Sequence, residues 1–207
     1  MNQELSAFAT RLRGIISSSV AAGVTRLQFK WNGNSGCRFQ EFEPPHVGCH
    51  ERFDAHALEL FALQFQNNPA YRKICLAKGA TPEIVEYWTQ IPAVPSSAFK
   101  ELELSCIPPG ERTAVFHSSG TTDQKPGRHF HCAESLAVYQ ASLWEHFQFS
   151  MAHCRVSKPG QLAISNWQLA ILTPPPEQAP HSSLVHMFET VRRKLGALES
   201  AFVGRIA

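Results

Sequence analysis

The stretch whose side chains could do chemistry runs from Phe116 to His129 and reads FHSSGTTDQKPGRH. A loop that grips phosphates needs backbone N–H groups turned toward the ligand, a glycine where a side chain would block approach, and hydroxyls that donate to phosphate oxygens. Ser118, Ser119, Thr121 and Thr122 supply the hydroxyls, Gly120 the bare backbone, and Lys125 and Arg128 the positive charge. It is not a Walker loop, since a glycine followed by four residues and Gly-Lys-Ser/Thr is absent, and it lacks the G-x-G-x-x-G dinucleotide fingerprint. On composition alone the same residues also describe a polar turn. His117, His129 and His131 flank the stretch, where an imidazole either senses or donates to phosphate or simply stands as a polar residue at a sheet edge.

Other reactive residue types are more dispersed. His46, Cys49 and His50 have the spacing to begin a metal site, but a closed zinc site needs four ligands and no second pair accompanies them, so no metal is expected. The six cysteines, Cys37, Cys49, Cys75, Cys106, Cys132 and Cys154, form no C-x-x-C pair and read as reduced, mostly buried thiols. His181 and His186 follow an apolar run, and His181 suits a helix cap.

The elements that must position these residues follow from periodicity. Thr113 to His117 is β-branched and aromatic, a strand that feeds the loop. Leu136, Tyr139, Leu143 and Phe147 then recur at helical spacing, predicting a helix from about Ala133 to Phe149. Leu162 to Leu172 reads as one or two buried strands, Pro174-Pro175-Pro176 as a rigid exit, and Ser182 to Leu195 as a helix with Leu184, Val185, Phe188 and Val191 inward and Gly196 as its stop. Upstream, Leu5, Phe8, Leu12, Ile15 and Ile16 predict a first helix, and residues 31–36 are turn-rich. Asp54 is placed to cap a helix with Leu58, Phe61, Ala62 and Phe65 inward, ended by Asn67-Asn68-Pro69. A short helix bearing Tyr71, Ile74 and Cys75 stops at Gly79, and Thr81-Pro82-Glu83 predicts another helical start with Ile84, Val85 and Trp88 inward. Ile91-Pro92-Ala93-Val94-Pro95 reads as an ordered connector. Strands alternating with helices point to an α/β fold.

With 207 residues, 43% of them apolar, the chain can bury a real core. A net charge of +2 and scattered Lys and Arg give no footprint for nucleic acid or anionic lipid. No window approaches the roughly 18 apolar residues of a membrane span, and the polar, acidic Met1-Asn2-Gln3-Glu4 start is unlike a secretory signal, so a soluble, cytoplasmic protein is expected.

SSGTT followed by Lys-Pro-Gly is similar to the phosphate-binding loop of the adenylate-forming superfamily. Ile91 to Pro95 with Phe99-Lys100, Arg128-His129-Phe130-His131 with Ser135-Leu136 and Tyr139, and Leu172-Thr173-Pro174 with Ser182-Ser183-Leu184 and Met187 resemble the acyl-protein synthetase (LuxE-like) branch. The resemblance covers about Phe65 to Gly196. It implies the N-terminal, incomplete part of an adenylate-forming large domain, a largely parallel sheet flanked by helices, over residues 54–207, preceded by a helical and loop extension over residues 1–53. The implied activity uses ATP and Mg²⁺ to convert a carboxylic acid, such as a fatty acid, to an acyl-adenylate. A protein thiol then takes the acyl group, or coenzyme A does in an acyl- or aryl-CoA ligase of the phenylacetate-CoA ligase type. Ser118, Ser119, Gly120, Thr121, Thr122, Lys125 and Arg128 would hold the phosphates, with His129, His181 and His186 near the substrate. Asp123 stands where the superfamily has glycine, and its carboxylate would repel phosphate unless it turns away or meets Mg²⁺. The later motifs for adenine, ribose, magnesium and the catalytic lysine have no counterpart, so a partial enzyme is expected, or a noncatalytic nucleotide-binding or interaction fragment.

Overall fold

The computed structural model describes residues 2–26, 48–118, 125–153, 168–196 and 200–204. The chain divides into two compact units, one formed by residues 27–95 with 102–106 and the other by 1–26, 96–101 and 107–207.

In the smaller unit, helices α2 (Gly48–Asn67) and α3 (Pro69–Ala77) meet at Asn68. Asn68 is extended, its side chain accepts from the Tyr71 N–H at 3.1 Å, and Pro69 occupies the first helical position, where a missing N–H costs nothing. Arg72 reaches back with Nε and an Nη to the carbonyls of Phe65 and Gln66, both at 2.7 Å, satisfying acceptors that the end of α2 leaves open. Phe61, Tyr71, Cys75 and Val85 form the buried core, with Leu58, Phe65, Ile91, Val94 and Leu104 packed against it. The Tyr71 hydroxyl donates to the Pro92 carbonyl at 3.0 Å and so ties the proline connector to that core, while burial pushes the phenol's pKa up. Gly79, at φ +65°, makes the left-handed turn after α3 that a side chain would strain.

Two sequence expectations change here. Asp54 lies inside α2 instead of capping it, and its Oδ1 accepts from the Trp88 N–H at 2.9 Å. Thr81-Pro82-Glu83 starts only a turn, followed by a 3-10 turn at Trp88–Gln90, with Val85 buried but Ile84 and Trp88 64% and 45% exposed. Side-chain acceptors take the donors a helix would need: Gln90 Oε1 accepts from the Glu86 and Tyr87 amides at 2.7 and 3.0 Å, and Asp54 holds that of Trp88.

In the larger unit, α1 (Gln3–Arg26) packs against α5 (Ala133–His153) and buries Leu5 and Phe8. The short α4 (Ala98–Glu101) lies beside β2. Strands β1 (Ala114–His117) and β2 (Arg128–His131) pair antiparallel, with Phe116 opposite His129. β3 (Ala170–Ile171) and β4 (Ala201–Phe202) pair parallel, and the helix α6 (Ser183–Leu195) lies between them in the chain, the connection that parallel neighbours require. The fold is therefore mixed α/β with small sheets, and the longer of the two described pairs is antiparallel.

The Ser182 hydroxyl caps α6 by accepting from the Val185 N–H, and Gly196 ends the helix at φ +64°. Val185, Thr190, Val191 and Leu195 are its buried face, whereas Leu184, expected inward, is 49% exposed because it sits about 100° around the helix from Val185. Residues 162–167 of the expected buried strand, and the turn-rich 31–36, lie outside the described residues. Leu172, at the end of that expected strand, is 81% exposed. After β4 the chain passes so close to β3's exit that a Cβ on Gly204 would lie 2.1 Å from the Leu172 carbonyl oxygen.

Phe61→Ala should therefore lower stability by about 3–5 kcal/mol in denaturant unfolding, since the cavity opens in the centre of the smaller unit's core. Gly204→Ala should lower the melting temperature by several degrees, because backbone, not a flexible side chain, blocks the added methyl.

Candidate functional site

The predicted loop is carried by the β1–β2 hairpin. β1 is β-branched and aromatic; on β2, the guanidinium groups of Arg112 and Arg128 lie over the Phe130 ring at 4.1 and 5.5 Å. Beyond the last ladder pair, His117 with Arg128, the loop is closed at its root by two bonds. The Ser118 N–H donates to the Gly127 carbonyl at 3.0 Å, and the Gly127 N–H donates to the Ser118 hydroxyl oxygen at 2.9 Å. A Cβ at residue 127 would meet Ser118 Oγ at 3.1 Å and the Phe99 Cβ at 3.4 Å, so glycine suits this position by lack of bulk. Lys125 and Arg128 are exposed. Ser119, Gly120, Thr121 and Thr122, together with Asp123, lie outside the described residues.

On its outer edge β1 meets His181. The His117 N–H donates to the His181 carbonyl at 2.9 Å, and His181 Nδ1 stands 3.1 Å from the Val115 carbonyl oxygen, which can only accept. Nδ1 of His181 is therefore the donor in this bond. The His117 and His181 rings lie 4.5 Å apart, and the next residue, Ser182, caps α6. His181 thus joins the hairpin edge to the start of that helix.

On the face turned to the helices, Phe116 is buried, with the rings of His131, His186 and Tyr139 at 4.9, 5.2 and 5.9 Å. The Gln140 amide nitrogen lies 3.2 Å from His186 Nε2, and Ser135 Oγ lies 3.2 Å from His131 Nδ1. The Tyr139 hydroxyl donates to the Ser183 carbonyl, bringing α5 to the first turn of α6. His129 stacks on Phe99 at 4.7 Å. Burial holds His131 and His186 below the ordinary imidazole range, and neighbouring His129 and His186 for the first, and Arg193 for the second, push the same way. Glu189 opposes this at His186. His117 is also lowered, by burial and then by His181 and Arg128. Burial raises the Tyr139 phenol.

The structure thus brings His181 and His186 together with the hairpin that bears Ser118, Arg128 and His129. Ser118 Oγ accepts from Gly127 and retains its own proton for a further acceptor. Cys132 is buried beside Ser135, and Cys75 is fully buried, consistent with structural thiols. Among the described residues no three His, Cys, Asp or Glu side chains gather as metal ligands. His46 and the side chains of Cys49 and His50 lie outside the described residues. β2 and the edge contact of His181 were missed by periodicity; the alternation of Arg128-His129-Phe130-His131 directly after Pro126-Gly127 is the signal for β2. Comparison with family models, curated proteins and solved structures finds no match.

Ser118→Ala should destabilise the hairpin by about 1 kcal/mol, through loss of the acceptor for Gly127. The measurement is amide exchange of Gly127, expected to quicken roughly fivefold while the amide of Tyr71 in the other unit is unchanged.

Proposed function

We propose that the 118–128 segment is the phosphate-holding element of an adenylate-forming enzyme of the acyl-protein synthetase kind. Its substrates are a carboxylic acid and ATP with Mg²⁺. The reaction joins the carboxylate to AMP with release of pyrophosphate, and the acyl group then passes to a thiol, that of a protein or of coenzyme A. The chain corresponds in this reading to the N-terminal part of the large domain, with β3 and β4, joined through α6, belonging to its parallel sheet.

The observation that carries the reading is the closed root of the loop. Ser118 and Gly127 fasten both ends, so the residues between them leave one fixed point, with Lys125 and Arg128 exposed beside it. Ser118 would donate its remaining proton to a phosphate oxygen, and Ser119, Thr121 and Thr122 would add hydroxyls. Gly120 would leave its amide approachable. Arg128 lies over Phe130, a stacking that leaves the edge of its planar fork available to an anion. Lys125 and Arg128 then offset charge on the departing pyrophosphate without moving a proton. His129 and His186 are placed on the helix-facing side of the same hairpin, where a carboxylic acid would be held.

Calorimetry with Mg-ATP on the 207-residue protein tests the binding half. Binding is expected, and Lys125→Ala with Arg128→Ala should weaken it roughly 10- to 100-fold, as expected for losing charge-assisted hydrogen bonds. Absence of binding, or equal binding by the double variant, rejects the assigned loop. Fatty-acid-dependent ATP–pyrophosphate exchange lost in Thr121→Ala/Thr122→Ala supports the full reaction, and acyl-CoA formation with coenzyme A assigns the acceptor.

A further inference from the structure

Four of the chain's ten histidines lie at the contacts between the hairpin and the start of α6: His117 and His131 from the two strands, His181 just before the helix and His186 in its first turns; His129, on β2, lies beside Phe99 of α4. Two links bridge the elements, His117 in direct contact with His181 at 4.5 Å, and His131 and His186 each against the Phe116 ring. Such a concentration gives the contact a property that neither the loop nor the proposed reaction requires.

We propose that His117, His131 and His186 form an acid-sensitive clasp, which holds the β1–β2 hairpin to the start of α6 while their rings are neutral and releases it when they take up protons.

The surroundings favour the neutral rings. His117 faces His181 and Arg128, His131 faces His129 and His186, and His186 faces Arg193 and Glu189. From α5 come the Tyr139 phenol and the Gln140 amide, and from α4 the Phe99 ring. Glu189 is the acid among these groups. Both its oxygens are already engaged, by Arg192 at 2.7 and 2.9 Å and by Arg193 at 2.5 Å, so it has little to offer a new cation. Each added proton therefore meets other imidazoles or arginines.

The hydrogen bonds point the same way. With Gln140 Nε2 donating, His186 Nε2 must be bare, and a proton there would set two donors face to face at 3.2 Å until the amide turned over. His181 spends its Nδ1–H on Val115, and a proton taken up by His117 would place charge 4.5 Å from that ring.

The direction of the pH effect follows. His117, His131 and His186 have pKa values below the ordinary imidazole value of about 6.5, so the open state binds protons more readily than the closed one. The clasp is at full strength above that value, and weakens as pH falls below it toward the lowered values.

The test is amide exchange on the whole protein between about pH 7.5 and about pH 5, expressed as protection relative to the intrinsic rate at each pH. The reporter is the His117 N–H, which donates to His181, and the control is the Ala80 N–H, which donates to the Cys75 carbonyl in the other unit. Protection at His117 should fall at least tenfold while that at Ala80 holds. A flat profile at His117, or an equal loss at both sites, overturns the proposal. His131→Gln with His186→Gln should flatten the His117 profile, and a profile as steep as the wild type's overturns it. Should that variant not fold, the ring titrations of His131 and His186 in the unaltered protein decide: midpoints below 6.5 that coincide with loss of His117 protection support the clasp, and midpoints at or above it reject it.

Discussion

A strand at the margin of a sheet presents backbone groups that must find partners, and on β1 two of them, the Val115 carbonyl and the His117 amide, both end on His181. One residue thus satisfies the strand's outer edge with its imidazole and its carbonyl while β2 satisfies the inner edge. Because Ser182 follows directly and caps α6, the same contact fixes where that helix begins. Remove it, and the hairpin, the loop it carries and the helix lose their common reference. The hairpin's position is set by edge satisfaction before any ligand is considered.

From that constraint the rest of the larger unit is assembled with apolar and aromatic contacts. Phe116 projects from β1 to the face opposite the one that bears Arg128, and gathers His131, His186 and Tyr139 around it. Tyr139 in turn bonds the Ser183 carbonyl, so α5 reaches the same helix start that His181 holds from the strand side. The imidazoles here do two jobs that pull in different directions. As flat, half-buried rings they pack well beside Phe116, and as bases in a setting rich in arginine they pack well only when uncharged. The smaller unit avoids this conflict, since its buried polar groups, Asn68 and the Tyr71 hydroxyl, are matched to backbone partners.

Much of this was readable in the residues, and the failures share a cause. Helix ends with local chemistry stood out: Asn68-Pro69, Gly79, Ser182 and Gly196 all lie at the junctions their types demand. So did the strand leading to Ser118 and the helix beyond Cys132. What misled was contact from far along the chain. Asp54 has the type of a cap, yet it serves Trp88, 34 residues away, and the donors claimed by Asp54 and Gln90 prevent the helix that Thr81-Pro82-Glu83 advertises. The bond from His181 to Val115 spans 66 residues and leaves no periodic trace. A four-residue β2 is too short to outweigh the expectation of a strand, a loop and then a helix. Of the residues expected to hold phosphate, Ser118, Lys125 and Arg128 lie on or beside a hairpin whose second strand periodicity did not foresee, while residues 119–122 lie outside the described ones.

In the proposed function the segment between Ser118 and Gly127 receives a triphosphate. Proton–nitrogen correlation spectra recorded while Mg-ATP is added read this most directly, residue by residue. The account predicts saturable shifts of the Ser118, Gly127 and Arg128 amides, with those of Tyr71 and Ala80 unmoved. Saturable shifts confined to other residues, or none at millimolar nucleotide, would contradict it.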